Sequence, residues 1–237
     1  MMLNALIKKI KHKIIFYAAN AKDAFISRKR ARLLKKHAIK TRDFFFIQLG
    51  AYASGNDDPI KECILKYKWS GILVEPVRYL FDRLIDSYKQ ADGLSFENIA
   101  ISHEAGPRDF YRLKENQDNL PPWSEELGSF FKDIVLKHRK YIPDIDKYLI
   151  CEKVNCITLR DLLGKHDVKK IDLLQIDTEG YDYEIIKMID FAFLKPGIIW
   201  YEHKHLKEND IKECEALLKN SGYHILKDQK DTFAYPA

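Results

Sequence analysis

A doubly wound α/β fold on a mostly parallel sheet is what this sequence predicts, on two observations. From Asp43 onward, short runs that are apolar almost throughout alternate with amphipathic segments, and strands covered on both faces read as continuous apolar runs. The 237 residues suffice for one sizeable core and are too few for two domains with linkers.

Taken in order, FFFIQLG (44–50), GILVEP (71–76), SFENIAI (95–101), IDLLQID (171–177) and GIIWYEH (197–203) read as strands. Between them, PIKECILKYKW (59–69), YLFDRLIDSYK (79–89), YDYEIIKMIDF (181–191) and ENDIKECEALLKNSG (208–222) space their apolar residues as helices do, the last ending on a glycine suited to a C-cap. YHILKD and TFAYP predict an antiparallel hairpin at one edge. RDFYRLK (108–114) fits an extra strand. Residues 115–150 are too long for an ordinary connection and rich in Pro, Trp, Tyr and charge, which predicts a lid or substrate insertion.

Charge divides the chain. Residues 1–42 hold 13 Lys and Arg and one acid, whereas the other 195 hold 27 bases and 34 acids. A body (43–237) that is mildly acidic thus follows a basic amphipathic helical extension (1–42), in which Leu3, Leu6, Ile7, Ile10, Ile14 and Tyr17 recur at helical spacing among lysines. Such a helix suits an anionic membrane surface, at about 1 kcal/mol per well-placed base, or packing on its own domain or on a second copy in a homo-oligomer. No aromatic-interleaved basic platform accompanies the charge, so nucleic acid is not an expected partner. No apolar run is long enough to span a bilayer. Four cysteines without disulfide density or C-x-x-C spacing fit a reducing, cytoplasmic location, with peripheral membrane contact through the arm as a variant.

Ligands of open parallel sheets bind at the carboxyl ends of strands. After the first strand comes QLGAYASGNDDP (48–59), where Gly50 and Gly55 allow a tight turn and close approach, and Asp57 or Asp58 can cap the next helix. It contains neither G-x-G-x-x-G nor a P-loop lysine. Glu75, followed by Pro76, ends the second strand 25 residues after Gly50, a spacing that suits a carboxylate accepting from a ribose diol. Asn98 to Ser102 can meet an adenine edge. If the fourth and fifth strands are neighbours, Asp177 and Glu179 face Glu202 and His203 as proton acceptors, or Asp177 and Glu202 hold a divalent cation. Here His203 is preferred to His205, and Asp182 and Glu184 read as solvated helix acids.

These stretches together, FIQLGAYASGNDDP, LVEPVRYLFDRL, ENIAIS, CITLRDLL leading into IDLLQIDTEGYDYEII, and IIWYEHKHL, resemble the FkbM family of S-adenosylmethionine-dependent methyltransferases over residues 43–235. The resemblance implies the class I methyltransferase sheet, Rossmann-like, with seven strands and the last antiparallel. It also implies S-adenosylmethionine as cofactor: its methionine end at the turn of Gly50, Ala51, Tyr52, Ser54, Gly55 and Asp57, its ribose on Glu75 and Pro76, its adenine at Ile99, Ala100 and Ser102, and its methyl group near Asp177. Gln48 departs from the acid usual in the family; it can still accept from the cofactor's amino group, without the charge attraction. The implied reaction is O-methylation of a sugar, glycan or secondary metabolite, with Asp177, Glu179, Glu202 and His203 as catalytic candidates and Trp123, Ser129 and Phe130 as acceptor contacts. Two other readings are a non-catalytic binding module docked to a membrane or partner, and an NAD-dependent oxidoreductase, which the missing third glycine disfavours.

Overall fold

The computed structural model describes residues 22–52, 58 and 60–237. At its centre lies β1 (Phe45–Leu49), whose side chains alternate between two apolar layers. Phe46 joins Trp69 and Leu84 on one face, and Ile47 and Leu49 join Leu162, Ile185 and Cys214 on the other. This two-sided burial is why the run is apolar almost throughout.

Parallel to β1 lie β2 (Ser70–Val74) on one side and, on the other, a later strand, Leu173–Ile176. β3 (Leu94–Glu97) extends the sheet beyond β2. The predicted strand 95–101 is broken after Glu97. Asn98 Nδ2 donates to the carbonyls of Glu75 and Pro76 at 2.9 and 3.0 Å, and the chain leaves for a second, four-stranded sheet. That sheet contains β4 (Ala100–Ile101), β5 (Gly106–Leu113), β6 (Gly128–Ser129) and β7 (Leu149–Ile157), in the order β4-β7-β5-β6. The extra strand read at 108–114 is β5. Its long antiparallel partner β7 was not foreseen, because exposed charged and polar residues alternate with its buried ones.

The chain returns to the first sheet as β8 (Leu173–Ile176), then β9 (Ile198–Glu202), β10 (Tyr223–Lys227) and β11 (Asp231–Pro236). The order β10-β11-β9-β8-β1-β2-β3 gives seven strands, parallel except for the last, β11, which lies antiparallel between β9 and β10. Strand order reverses between β1 and β8, and the cavity opens there.

Helices cover both faces. A first helix, α1 (22–40), with α2 (Lys61–Tyr67) and α3 (Arg78–Ser87), packs on one side. The insertion carries the short α4 (Lys132–Leu136) and α5 (Ile145–Tyr148). On the other side of the main sheet lie α6 (Leu159–Lys165), α7 (Asp182–Lys187) and α8 (Glu208–Asn220), with Gly222 at φ +80° just beyond, where a glycine C-cap was expected. α6, a helix not predicted above, opens on a capping box between Thr158 and Asp161. The insertion closes over its own small core of Leu113, Leu127, Val135, Ile142 and Ile145.

The described part of the basic arm belongs to this packing. Ile26, Arg30, Leu34 and Ala38 recur every four residues along α1, and Leu34 and Ala38 enter the core of Phe44, Trp69 and Trp200. Residues 1–21, where the lysine-flanked apolar spacing was read, lie outside the described residues. No helix among the described residues is long and apolar enough to cross a membrane.

Because α1 is laid into the core, Leu34→Ala should cost about 2–4 kcal/mol in urea denaturation. Ile39→Ala, at a position 66% exposed on the same helix, should change stability by less than about 0.5 kcal/mol.

Candidate active site

A cavity of about 660 Å³ opens over the carboxyl ends of β1, β2, β8 and β9 and is roofed by the insertion. Its formation depends on Gly50. This residue sits at φ +76°, and a Cβ there would lie 1.8 Å from the Asp177 carbonyl oxygen, so only glycine lets the exit of β1 rest on the exit of β8. The amides of Gly50 and Ala51 both donate to the Val74 carbonyl, at 2.9 and 3.0 Å, which ties the same turn to the end of β2.

At one end of the cavity stands Glu75, only 4% exposed, its Oε1 accepting from the Val77 amide at 2.8 Å. Burial pushes its carboxyl up to about 8. Tyr52, Pro76, Ile99 and Ala100 line the wall around it, together with Gly50. Ala51 is buried in the core instead, and Ser102 is turned aside to accept from Arg108 at 3.1 Å. Ser54, Gly55 and Asp57 lie outside the described residues. Asp58 accepts from the amides of Ile60 and Lys61, the helix-start role foreseen for it or Asp57. Gln48 is not in the wall. Its Nε2 donates to Asp58 at 3.2 Å, and its Oε1 has no partner among the described residues.

Acids gather at the other end. Asp177, Thr178 and Glu179 follow β8, Glu202 ends β9, and Lys204 stands beside them. Glu179 has φ +48°, a conformation that costs a non-glycine residue about 1–2 kcal/mol. Two contacts hold it there: its carbonyl accepts from Ser129 of the insertion at 2.7 Å, and Asp182 accepts from Thr178 Oγ1 and the Gly180 amide, both at 3.2 Å. Asp182 is therefore a fully buried brace of this turn and not a solvated helix acid. Ser129, expected at the acceptor, is likewise buried beneath the turn, accepting from the Phe131 amide at 3.0 Å. Glu184 bonds His103 and Lys187 at the surface of α7.

Both histidines fall differently from expectation. Successive residues of a strand point to opposite sides, so His203 turns away from Glu202 and pairs through Nδ1 with Thr232 Oγ1 at 2.9 Å, buried outside the cavity. The chain then bends, the Leu206 amide bonding the His203 carbonyl, and His205 comes back under the acids. Its Nε2 lies 3.0 Å from Glu179 Oε2 and 3.6 Å from Glu202 Oε2. Asp177, expected to share a cation with Glu202, is not in the set whose ligand atoms converge among the described residues, namely Glu179, Glu202 and His205.

Burial and mutual repulsion drive these carboxyls apart. Asp177 is held well above its ordinary value by burial and by Glu202 and Glu179, and Glu202 is pushed up to about 9 by burial and by Glu179 and Asp182. Burial pushes Glu179 the same way, but His205, Lys204 and His138 outweigh it and hold the group below its ordinary value. Glu179 is thus the acid of the cluster held below its ordinary value, while Asp177 and Glu202 bind their protons more tightly.

Trp123, Phe130 and Tyr141 bring aromatic surface from the insertion, and Arg30 of α1 reaches the same wall. The arginine lies over the Trp200 ring at 4.1 Å and bonds Asp228 and Asp231 at 3.0 and 3.1 Å. Arg30, His138 and Lys204 were not among the residues expected at the wall, and His205, ranked below His203, is the histidine that meets the acids. For Arg30 the signal was its place in the four-residue repeat of α1.

The Methyltransferase FkbM domain matches residues 48–225. This chain belongs to the FkbM methyltransferase family. The resemblance read from the motifs therefore holds, and so does the fold it implied. Among solved structures, a Methyltransferase FkbM from Methylobacillus flagellatus KT aligns at a TM-score of 0.50 and 11% identity, over 81% of this chain. This FkbM chain spans 43% of that protein's length. The METTL16 methyltransferase domain aligns at 0.46 and 11% identity, over 87% of this chain and 65% of that one. At 11% identity the likeness to the Methylobacillus flagellatus protein is one of fold. No curated protein sequence matches the chain.

The buried Glu75 makes a prediction about stability. Its carboxyl binds a proton more tightly folded, at about 8, than at its ordinary 4.5. The stability it contributes is full below about 4.5 and is lost as pH rises through about 8. Glu75→Gln should therefore raise the unfolding free energy measured by urea denaturation at pH 8.5 by an amount on the order of a few kcal/mol, and leave it nearly unchanged at pH 4.5.

Proposed function

We propose that this FkbM domain is an S-adenosylmethionine-dependent O-methyltransferase whose acceptor is a hydroxyl of a glycan or secondary metabolite. The observation that carries the reading is one cavity with a buried carboxylate, Glu75, at the end of β2 and a carboxylate cluster at the ends of β8 and β9. The donor set fits the cofactor: Glu75 offers an acceptor to the ribose diol, the Ile99 and Ala100 wall offers an apolar flank to adenine, and the turn at Gly50 and Tyr52 supports the methionine end. When bound, the cofactor supplies a sulfonium methyl group for in-line displacement.

The residues of the chain then have two tasks. Aligning the acceptor oxygen is an orientation effect that can reach roughly 7–11 kcal/mol, and Trp123, Phe130 and Tyr141 offer the flat apolar faces on which a sugar ring can rest. Glu179, the acid held below its ordinary value, takes the proton of the acceptor hydroxyl as the new C–O bond forms and the methyl–sulfur bond breaks, while Asp177 and Glu202 hydrogen-bond that hydroxyl and orient it. His203, paired with Thr232, has no part in this step.

The outward face of α1 supports a proposal about location. Opposite its core stripe it presents Arg28, Arg32 and Lys35 with Phe25, 65% exposed, and Ile39. We propose that this face rests on an anionic membrane surface. Vesicles rich in phosphatidylserine should pellet the full chain and leave the triple variant Arg28→Glu, Arg32→Glu, Lys35→Glu in the supernatant; equal pelleting would remove the proposal.

For the catalytic reading, calorimetry should detect S-adenosylmethionine binding at micromolar level and its loss in Glu75→Ala. Binding of a nicotinamide dinucleotide in its place would overturn the assignment.

A further inference from the structure

Three ligand atoms converge beneath the acid end of the cavity: Glu179 Oε2, Glu202 Oε2 and His205 Nε2, all within 4.8 Å of one another. His205 and Glu202 are covered, at 8% and 9% exposed, and Glu179, with its side chain 20% exposed, opens toward the cavity. Although His205 Nε2 stands 3.0 Å from one carboxylate oxygen and 3.6 Å from the other, none of the three atoms makes a hydrogen bond of acceptable geometry among the described residues. Buried polar atoms left in this way are costly, at about 1–3 kcal/mol each. An ordinary imidazolium–carboxylate pair would aim its N–H at an oxygen and remove that cost. A cation shared by the three atoms removes it as well.

We infer that Glu179, Glu202 and His205 form a binding site for a divalent first-row transition metal. Bonds of about 2.0–2.2 Å to a shared ion set ligand atoms roughly 3–4 Å apart, and the observed 3.0 and 3.6 Å fall in that interval. An imidazole nitrogen beside two carboxylates favours Mn²⁺ or Zn²⁺ over Mg²⁺ or Ca²⁺, whose sites are built from oxygen. The supports for such a site are already in place. Ser129 and Asp182 hold the turn that presents Glu179, and the left-handed φ of Glu179 aims it back toward β9. Three protein ligands leave coordination positions open, and Glu179 and Glu202 line the cavity, so the open side faces the acceptor. A hydroxyl or vicinal diol of a sugar completes the shell there, and coordination makes the bound hydroxyl easier to deprotonate. The site does not depend on the methyltransferase reading, since the ion binds without cofactor or acceptor.

The test uses the full chain, freed of metal by chelator dialysis and titrated calorimetrically with MnCl₂, ZnCl₂ and MgCl₂. One site is expected for Mn²⁺ or Zn²⁺, at least tenfold tighter than for Mg²⁺. His205→Ala and Glu179→Gln should each weaken it at least tenfold, with circular dichroism of both variants unchanged. The electron paramagnetic resonance signal of Mn²⁺ should broaden with the wild-type chain and stay that of the free ion with either variant. Absence of binding to the wild type overturns the site, and so does equal affinity in folded variants, which marks adventitious surface binding. Metal binding without S-adenosylmethionine binding would leave this site standing and remove the methyltransferase reading alone.

Discussion

The close approach of the β1 exit to the β8 exit is the constraint on which the rest of the site depends. A carbonyl oxygen of Asp177 occupies the space that any side chain at position 50 would need. Because Gly50 yields that space, two neighbouring strands of a parallel sheet can end in loops that diverge above the sheet while remaining in contact at its edge. The result is a cavity at the reversal of strand order. Glu75 and the turn at Tyr52 lie on one side of it, Asp177 and its neighbours on the other.

Gathering four acids around one turn, Asp177 and Glu179 half-buried and Asp182 and Glu202 buried, is expensive, and the structure distributes the cost unevenly. Asp182 works as a brace, bonded to the turn it stabilises. Glu179 stays ionised because His205, Lys204 and His138 surround it. Asp177 and Glu202 are left with high proton affinity, as is common where carboxyls are set up for chemistry rather than for stability. Such an arrangement is held by its supports: the insertion reaches down through Ser129 to the Glu179 carbonyl, so the roof of the cavity and the conformation of the acid turn are one mechanical unit.

The basic arm enters the same account. α1 carries Leu34 and Ala38 into the core, and Arg30, in the same stripe, reaches the cavity wall over Trp200 and against Asp228 and Asp231. A helix that composition set apart from the acidic body thus contributes both to packing and to the wall. Its surplus charge faces outward, away from the sheet.

Periodicity made the central sheet legible, since strands buried on both faces must be apolar nearly throughout, and five such runs in order left little choice of architecture. The loop chemistry at their ends was legible as residue types: a glycine after β1, a glutamate after β2, acids after β8 and β9. Pairing across sequence was not legible. The break after Glu97 follows from Asn98 reaching back to Glu75 and Pro76, and the second sheet follows from β7 finding β5 across the insertion; neither contact leaves a periodic trace. The choice of His205 over His203 was beyond the sequence for the same reason, because strand alternation turns one inward and a bend after the strand decides where the other goes. Sequence alone thus determined the layers of this protein and the chemical kinds of group at its rim. Only the tertiary structure decided which of those groups meet, since that depends on turns held by side chains distant in the chain.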